Sequence, residues 1–154
     1  MSDSDLVKSS DSDLVKLYSG RILALAADIP HLGRLPAPTG SARKRSPLCG
    51  STVTVDLVLK DGRVADFAQD VKACALGQAS AAILGGVILG RSLAELQAAR
   101  NMLSAMLKDN GPVPAAPFQG YEVLIPAREY KNRHASILLA LDAACEAAAI
   151  AEAA

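Results

Sequence analysis

Apolar and polar residues alternate most strictly over residues 52–60. Four apolar side chains there share one face: Val53, Val55, Leu57 and Leu59. A period of two predicts a β-strand with one buried face. Asp61-Gly62 follows directly, and this dipeptide between two apolar runs is a strong hairpin signal. Residues 63–71 are therefore predicted to return as an antiparallel strand, with the basic run at residues 41–46 as a charged edge strand beside them.

Helical patterns flank these three strands. The heptapeptide SDSDLVK occurs at residues 2–8 and 10–16, too short a duplication to be a structural repeat. The second copy offers N-cap residues for a helix that ends near Asp28. Its apolar stripe consists of Leu14, Leu17, Ile22 and Leu25. Residues 1–10 are predicted to be a flexible extension, and residues 11–154 a single domain.

Three further segments complete the predicted order of elements. A helix is expected from Cys74 to about residue 89, and a second one begins at Ser92, whose capping box with Glu95 is typical of a helix start. The proline-rich residues 110–126 predict a loop with a brief strand at 121–125. One long Ala-rich helix follows from residue 127 to the C-terminus. The predicted fold is α+β, a three-stranded antiparallel sheet with helices packed on it.

Composition excludes several classes of function. Sixteen basic and sixteen acidic residues give a net charge of zero, and Trp is absent, so the sequence does not predict a nucleic-acid binder. Residues 73–90 carry no charge, but their many small residues favour a buried core helix over a membrane span. The start of the sequence lacks the pattern of a signal peptide, and we expect a cytoplasmic protein with reduced thiols.

Two of the three cysteines are predicted to lie at the same end of the sheet. Cys49 precedes the first strand of the hairpin, and Cys74 follows the second strand. Because a hairpin runs out and back, the two thiols should meet. Cys74 also begins a helix, where the macrodipole and free N–H groups favour the thiolate that binds metals. Cys145 is expected to be a buried core residue.

The stretches LCG, ACALGQAS and RHASILLALDA, in this order, resemble the U-type iron–sulfur cluster assembly scaffolds, also called the NifU-like N-terminal domain family. The long proline-containing insertion resembles the subgroup that serves Suf-type assembly. The resemblance implies that Cys49, Cys74 and His134 bind metal or a cluster, with Cys49 as the candidate sulfur acceptor. Ser51 and Ala135 stand where the family usually has Asp and a third Cys.

The resemblance implies a non-enzymatic scaffold that accepts sulfur and holds metal or a nascent cluster for transfer. Its cargo would be a transient iron–sulfur cluster, zinc or iron, or no stably bound group. The implied partners are a cysteine desulfurase and recipient iron–sulfur apoproteins. Two alternatives stay open: a sulfur-transfer partner of the desulfurase that accepts a persulfide without stable cluster binding, and a degenerate regulatory binding member.

Overall fold

A computed structural model describes residues 19–48 and 50–154 of the chain. Its elements, in order, are helix α1 (Gly20–Ala27), strands β1 (Gly40–Arg45), β2 (Thr52–Lys60) and β3 (Arg63–Lys72), helices α2 (Ala75–Gly85) and α3 (Leu93–Lys108), a 3₁₀ helix (Gln119–Glu129), and helix α4 (Lys131–Ala153). The strands form an antiparallel sheet in the order β1-β2-β3. The predicted α+β fold is confirmed.

The strand boundaries agree closely with the alternating pattern. The side chains of Val53, Val55 and Leu57 are buried on the face of the sheet that the helices cover. Asp61 and Gly62 both have positive φ angles, 54° and 75°. This is the backbone twist that a two-residue hairpin turn requires, and it explains why Asp-Gly is found there.

Helix α4 packs on β1 and β2 and also against α2 and α3, so it forms the centre of the structure. Its buried face consists largely of alanines: Ala140, Ala143, Ala144, Ala147 and Ala148. Such small side chains let the helix axis lie close to the sheet. The helix is long and apolar enough to cross a membrane by composition alone, but its apolar face is occupied by these contacts.

The helix predicted for residues 74–89 ends at Gly85. At 1.5 Å per residue its 11 residues reach only about 16 Å, much less than the hydrocarbon thickness of a bilayer. Nine of them are buried, as the core-helix interpretation requires. The capping box of α3 is confirmed, because Ser92 and Glu95 each accept a hydrogen bond from the other's backbone N–H.

The strand predicted at residues 121–125 is wrong. The chain forms a 3₁₀ helix from Gln119 to Glu129, and α4 consequently begins at Lys131 rather than at residue 127. The buried residues Tyr121, Leu124 and Ala127 recur every third position, which is the period of a 3₁₀ helix. Helix α1 begins after Ser19, so the predicted helix start in the second SDSDLVK copy and the predicted extension at residues 1–10 lie outside the described residues.

On the face of the sheet opposite the helices, the carboxylate of Asp56 is buried. Asp56 accepts hydrogen bonds from the Arg34 guanidinium (Nε to Oδ2, 2.6 Å), the Leu35 N–H and the Ser41 hydroxyl. Burial raises the pKa of Asp56, but these three donors outweigh burial and hold the pKa below its ordinary value. The loop that contains Arg34 therefore covers this part of the face and leaves the end near Thr52 open.

Candidate functional site

The loop before β2 is closed by two backbone hydrogen bonds. The Ser46 N–H donates to the Ser51 carbonyl (2.8 Å), and the Gly50 N–H donates to the Ser46 carbonyl (2.9 Å). Gly50 has a φ of +69°, a conformation that glycine adopts without steric cost. Cys49 itself lies outside the described residues. Its two neighbours Leu48 and Gly50 are exposed, so the loop lies at the surface.

Cys74 occupies the N-cap position of α2, directly after β3. Its side chain is half-buried, and its Sγ lies 3.5 Å from the Ser136 Oγ at the start of α4. The Cys74 sulfur makes no capping hydrogen bond of regular geometry, but the N–H groups of Leu76 and Gly77 lie near enough to interact with it. The thiol is therefore held where backbone N–H groups and two helix starts meet.

Half-burial raises the pKa of the Cys74 thiol, but the donors around it have the larger combined effect. The Ser136 hydroxyl, the N–H groups of Gly77 and Leu76, and the Arg133 side chain all lower the pKa. The net result is a pKa below the ordinary value for cysteine, as the position at a helix start predicts. A lowered pKa increases the thiolate fraction at neutral pH, and the thiolate is the form that binds metal and attacks sulfur.

Two buried serines connect Cys74 to the loop before β2. The Ser136 and Ser51 hydroxyl oxygens lie within hydrogen-bond distance (3.1 Å), and both side chains are nearly inaccessible to solvent. Ser51 and Cys74 thus contact the same hydroxyl. In addition, Thr52 at the start of β2 pairs directly with Lys72 at the end of β3. The segments that lead to the two predicted thiol ligands therefore meet at one end of the sheet.

Glycine permits this close approach of α2 and α4. A Cβ built at Gly77 would lie 2.6 Å from the Ser136 Oγ and 2.8 Å from the Ala73 Cβ, closer than real Cβ contacts. Only a residue without a side chain allows Ser136 to remain beside Cys74. Gly77 in the ACALGQAS stretch thus has a packing role at the site.

His134, the third predicted ligand, makes different contacts. Its ring is buried, with Nε2 2.9 Å from the Ala127 carbonyl. It lines a cleft of about 290 Å³ together with Leu107, Lys108, Arg128 and Lys131. Ser136 lies two residues later, about 200° around the helix, and it is Ser136 that faces Cys74. The contacts found for the His134 ring therefore do not join it to the thiol, and its ligand role stays a prediction.

The described residues contain no complete metal-ligand set. Within residues 19–48 and 50–154, no group of three or more His, Cys, Asp and Glu side chains is close enough to hold an ion. Ser51 and Ser136 occupy the positions around Cys74 where further ligands would be expected, and neutral hydroxyls are poor ligands for soft metals. A metal at this site would need Cys49 and other ligands besides Cys74.

Reasoning from the sequence missed Ser136. A signal for Ser136 was present, because it shares the buried stripe of α4 with Ala140, Ala143 and Ala147 at spacings of four, seven and eleven. This spacing places residue 136 on the buried side of α4. Ala135, which stands where the family usually has its third cysteine, is exposed.

Alkylation rates should separate the two described thiols. Burial raises the pKa of Cys145 to about 11, and the nearby Asp142 adds to the effect, whereas the pKa of Cys74 is lowered. The rise of the Cys145 pKa from 9.0 to about 11 alone reduces its thiolate fraction at pH 7.5 about a hundredfold, and the higher nucleophilicity of a more basic thiolate reduces the disadvantage in rate to about tenfold. We expect iodoacetamide to modify Cys74 about ten times faster than Cys145, as followed by peptide mass spectrometry. Equal rates would contradict the described environment of Cys74.

Comparison with solved structures finds close similarity over almost the whole chain. A nitrogen-fixing NifU-like protein (N-terminal) from Brucella abortus is 44% identical, with a TM-score of 0.89, over 92% of this chain and 98% of that chain. An iron–sulfur cluster assembly scaffold protein for the SUF system from Fervidobacterium islandicum shares the fold at 17% identity, with a TM-score of 0.74, over 84% and 94% of the two chains. No family model and no curated protein matches the sequence. The identity and coverage of the Brucella protein show that this chain belongs to the NifU-like N-terminal domain family.

Proposed function

We propose that this protein is an iron–sulfur cluster assembly scaffold that carries its cargo at the end of the sheet where Cys74 lies. The observation that carries this proposal is the Cys74 thiol, half-buried at a helix start and surrounded by donors that lower its pKa. Membership of the NifU-like family supports the same role, as does the shared fold with a protein named as a SUF scaffold. The partners proposed on this basis are a cysteine desulfurase and recipient apoproteins.

The cargo would be a metal ion or a nascent cluster, and the donor set indicates how firmly it could be held. Cys49 and Cys74 are the proposed thiolate ligands, and His134 is a third candidate only if its ring leaves the Ala127 carbonyl. Two thiolates bind a soft metal less firmly than the four ligands of a structural zinc site. We therefore propose transient holding, with the remaining coordination positions filled by water or by a partner.

Sulfur acceptance is the second part of the proposal. The acceptor thiolate attacks the outer sulfur of the donor's persulfide, the S–S bond in the donor breaks, and the donor cysteine leaves as a thiolate. The acceptor becomes a persulfide while the donor returns to a thiolate, so the transfer needs no external oxidant. Cys49 is the proposed acceptor, and the exposure of its neighbours Leu48 and Gly50 supports access by a partner's persulfide. Cys74 is proposed as the second ligand.

Mass spectrometry and metal analysis test the two parts separately. The protein is incubated anaerobically with a cysteine desulfurase and cysteine, and the intact mass is then measured. We expect a gain of one sulfur atom that Cys49→Ser abolishes and the matched control Cys145→Ser preserves. The iron and sulfide content of anaerobically reconstituted protein is expected to fall in both Cys49→Ser and Cys74→Ser.

Each outcome selects one function. Sulfur gain without metal or sulfide would favour the sulfur-transfer alternative over the scaffold. If replacing both Cys49 and Cys74 changes neither measurement, the cysteines have no role in the chemistry, and the regulatory binding alternative replaces the proposal.

A further inference from the structure

The open face of the sheet carries a group of cations at the end where Cys74 lies. Strand pairing places Arg43, Thr54 and Asp70 in one row and Arg45, Thr52 and Lys72 in the next. Residues paired across a sheet project from the same face, so the three cations Arg43, Arg45 and Lys72 share the face opposite the helices. All three are exposed. They are called the basic face below.

The cations of the basic face are not neutralised within the described chain. Among residues 19–48 and 50–154, the ion pairs of this part of the sheet are Arg34–Asp56 and Lys44–Glu146, and no carboxylate lies within ion-pair distance of the basic face. Asp70 is the one acidic residue in these two rows, and its charge acts on Arg34. The whole chain has a net charge of zero, so this concentration of positive charge is local.

A polar cleft marks the same surface. It has a volume of about 350 Å³, and its lining combines three cations with one carboxylate, one methyl group and three hydroxyls: Arg34, Arg43, Lys72, Asp70, Ala42, Ser41, Thr52 and Thr54. Charges on edge strands often serve only to prevent pairing with other sheets. Here, however, cations from both edge strands, β1 and β3, project from one face of the sheet. Preventing edge-to-edge pairing does not require the charges to share a face.

The basic face is continuous with the candidate site. Lys72 is two residues before Cys74, which is about 7 Å of extended chain, and Arg45 precedes the loop that contains residue 49. Leu48 in that loop is 76% exposed. An exposed apolar residue bordered by cations is the arrangement of a protein interface, with an apolar centre and a charged rim.

We infer that the basic face docks an acidic surface of the protein that delivers sulfur to this chain. The inference rests on the proposed function for the role of the partner, while the charge of the partner follows from the face itself. Opposite charges on the two surfaces would accelerate encounter and orient the donor's persulfide toward the cysteine end of the sheet. A partner that docked on the opposite side of the sheet would contact the helices and would not meet the cations of the basic face.

A charge-reversal experiment tests this inference without depending on bound metal. Association of the protein with the cysteine desulfurase of the same organism is measured by biolayer interferometry at low and high salt. We expect Arg43→Glu combined with Lys72→Glu to raise the Kd at least tenfold, mainly through a slower association rate, and to weaken the salt dependence. The matched control is Arg21→Glu combined with Lys60→Glu, which changes the net charge equally at exposed positions outside both the basic face and the candidate site.

The control should bind within about threefold of wild type, and both variants should keep the melting temperature and the zinc affinity of the wild type. An equal loss in the two double variants would overturn the inference, since net charge alone would explain it. Absence of binding by the wild type would overturn it too, as would binding of a 20-nucleotide DNA, and not of the desulfurase, that depends on Arg43 and Lys72. If the wild type binds the desulfurase as expected but takes up no metal or sulfur, the proposed function is contradicted and the docking inference stands.

Discussion

Zinc is expected to bind about a hundredfold or more tightly when Ser51 is replaced by Asp and Ser136 by Cys. The Ser136 Oγ already lies 3.5 Å from the Cys74 Sγ, which is close to the separation of two sulfurs bound to one zinc ion. The Ser51 Oγ is within hydrogen-bond distance of that same Ser136 hydroxyl. A carboxylate and a thiolate at these positions would complete four ligands with Cys49 and Cys74. Four-ligand zinc sites gain about 10–16 kcal/mol, so each added ligand is worth about 2.5–4 kcal/mol, and two of them exceed the 2.7 kcal/mol of a hundredfold change.

The measurement is a competitive zinc titration of the wild type and the variant, with the melting temperature followed in parallel. Binding should also raise the melting temperature, because the ligands tie the loop before β2 to the starts of α2 and α4. The matched variant combines Ser51→Asp with Ala135→Cys, the residue that the family motif indicates. We expect the smaller gain from this pair, since Ala135 is exposed, whereas Ser136 faces Cys74. A larger gain from Ala135→Cys would show that the metal binds on the solvent side of α4.

The third ligand position shows what a sequence motif can predict. The family motif indicates Ala135, whereas the structure places Ser136 beside Cys74. The order of the three motifs predicted the family, and the hairpin predicted that the segments before β2 and after β3 meet at one end of the sheet. Which residue of RHAS faces Cys74 depends on the rotation of α4, which begins at Lys131 directly after the 3₁₀ helix and packs on the sheet and two helices. The segment of the 3₁₀ helix was predicted as a loop with a brief strand, because its prolines and glycines are typical of loops. The motif alone therefore could not distinguish residue 135 from residue 136.

The sheet and the capping box were predictable because each depends on local chemistry. The two-residue hairpin turn at Asp61-Gly62 requires positive φ at both residues. The capping box of Ser92 with Glu95 forms its hydrogen bonds within a single helical turn. The pairing of Asp56 with Arg34 was not predicted. In an alternating strand, a charged residue is expected on the face opposite the apolar side chains. Whether Asp56 is buried on that face depends on a loop 22 residues earlier in the chain. Long-range contacts of this kind leave no periodic signal.

Gly40→Ala is expected to destabilise the fold by about 3 kcal/mol or more, the largest loss of stability that we predict for a single methyl group. A Cβ at Gly40 would overlap the backbone carbonyl of Ala147 and crowd the Ala151 side chain. A backbone carbonyl inside a helix cannot rotate away, so α4 would have to move off the first strand. For a chain of this size the melting temperature should fall by about 6–12 °C.

Gly20→Ala is the matched control, because a Cβ at Gly20 meets nothing within 4 Å at the start of α1. It should be neutral or slightly stabilising, since alanine favours helices over glycine. Urea unfolding followed by circular dichroism gives the free energy of unfolding of both variants.

The contact of Gly40 with Ala147 also has a consequence for the candidate site. Gly40 fixes the C-terminal half of α4 to the sheet, and the Ser51–Ser136 hydrogen bond fixes its N-terminal half beside Cys74. If Gly40→Ala unfolds at the same urea concentration as wild type, α4 can shift along the sheet without cost, and Ser136 is then not held beside Cys74 by the packing of this helix.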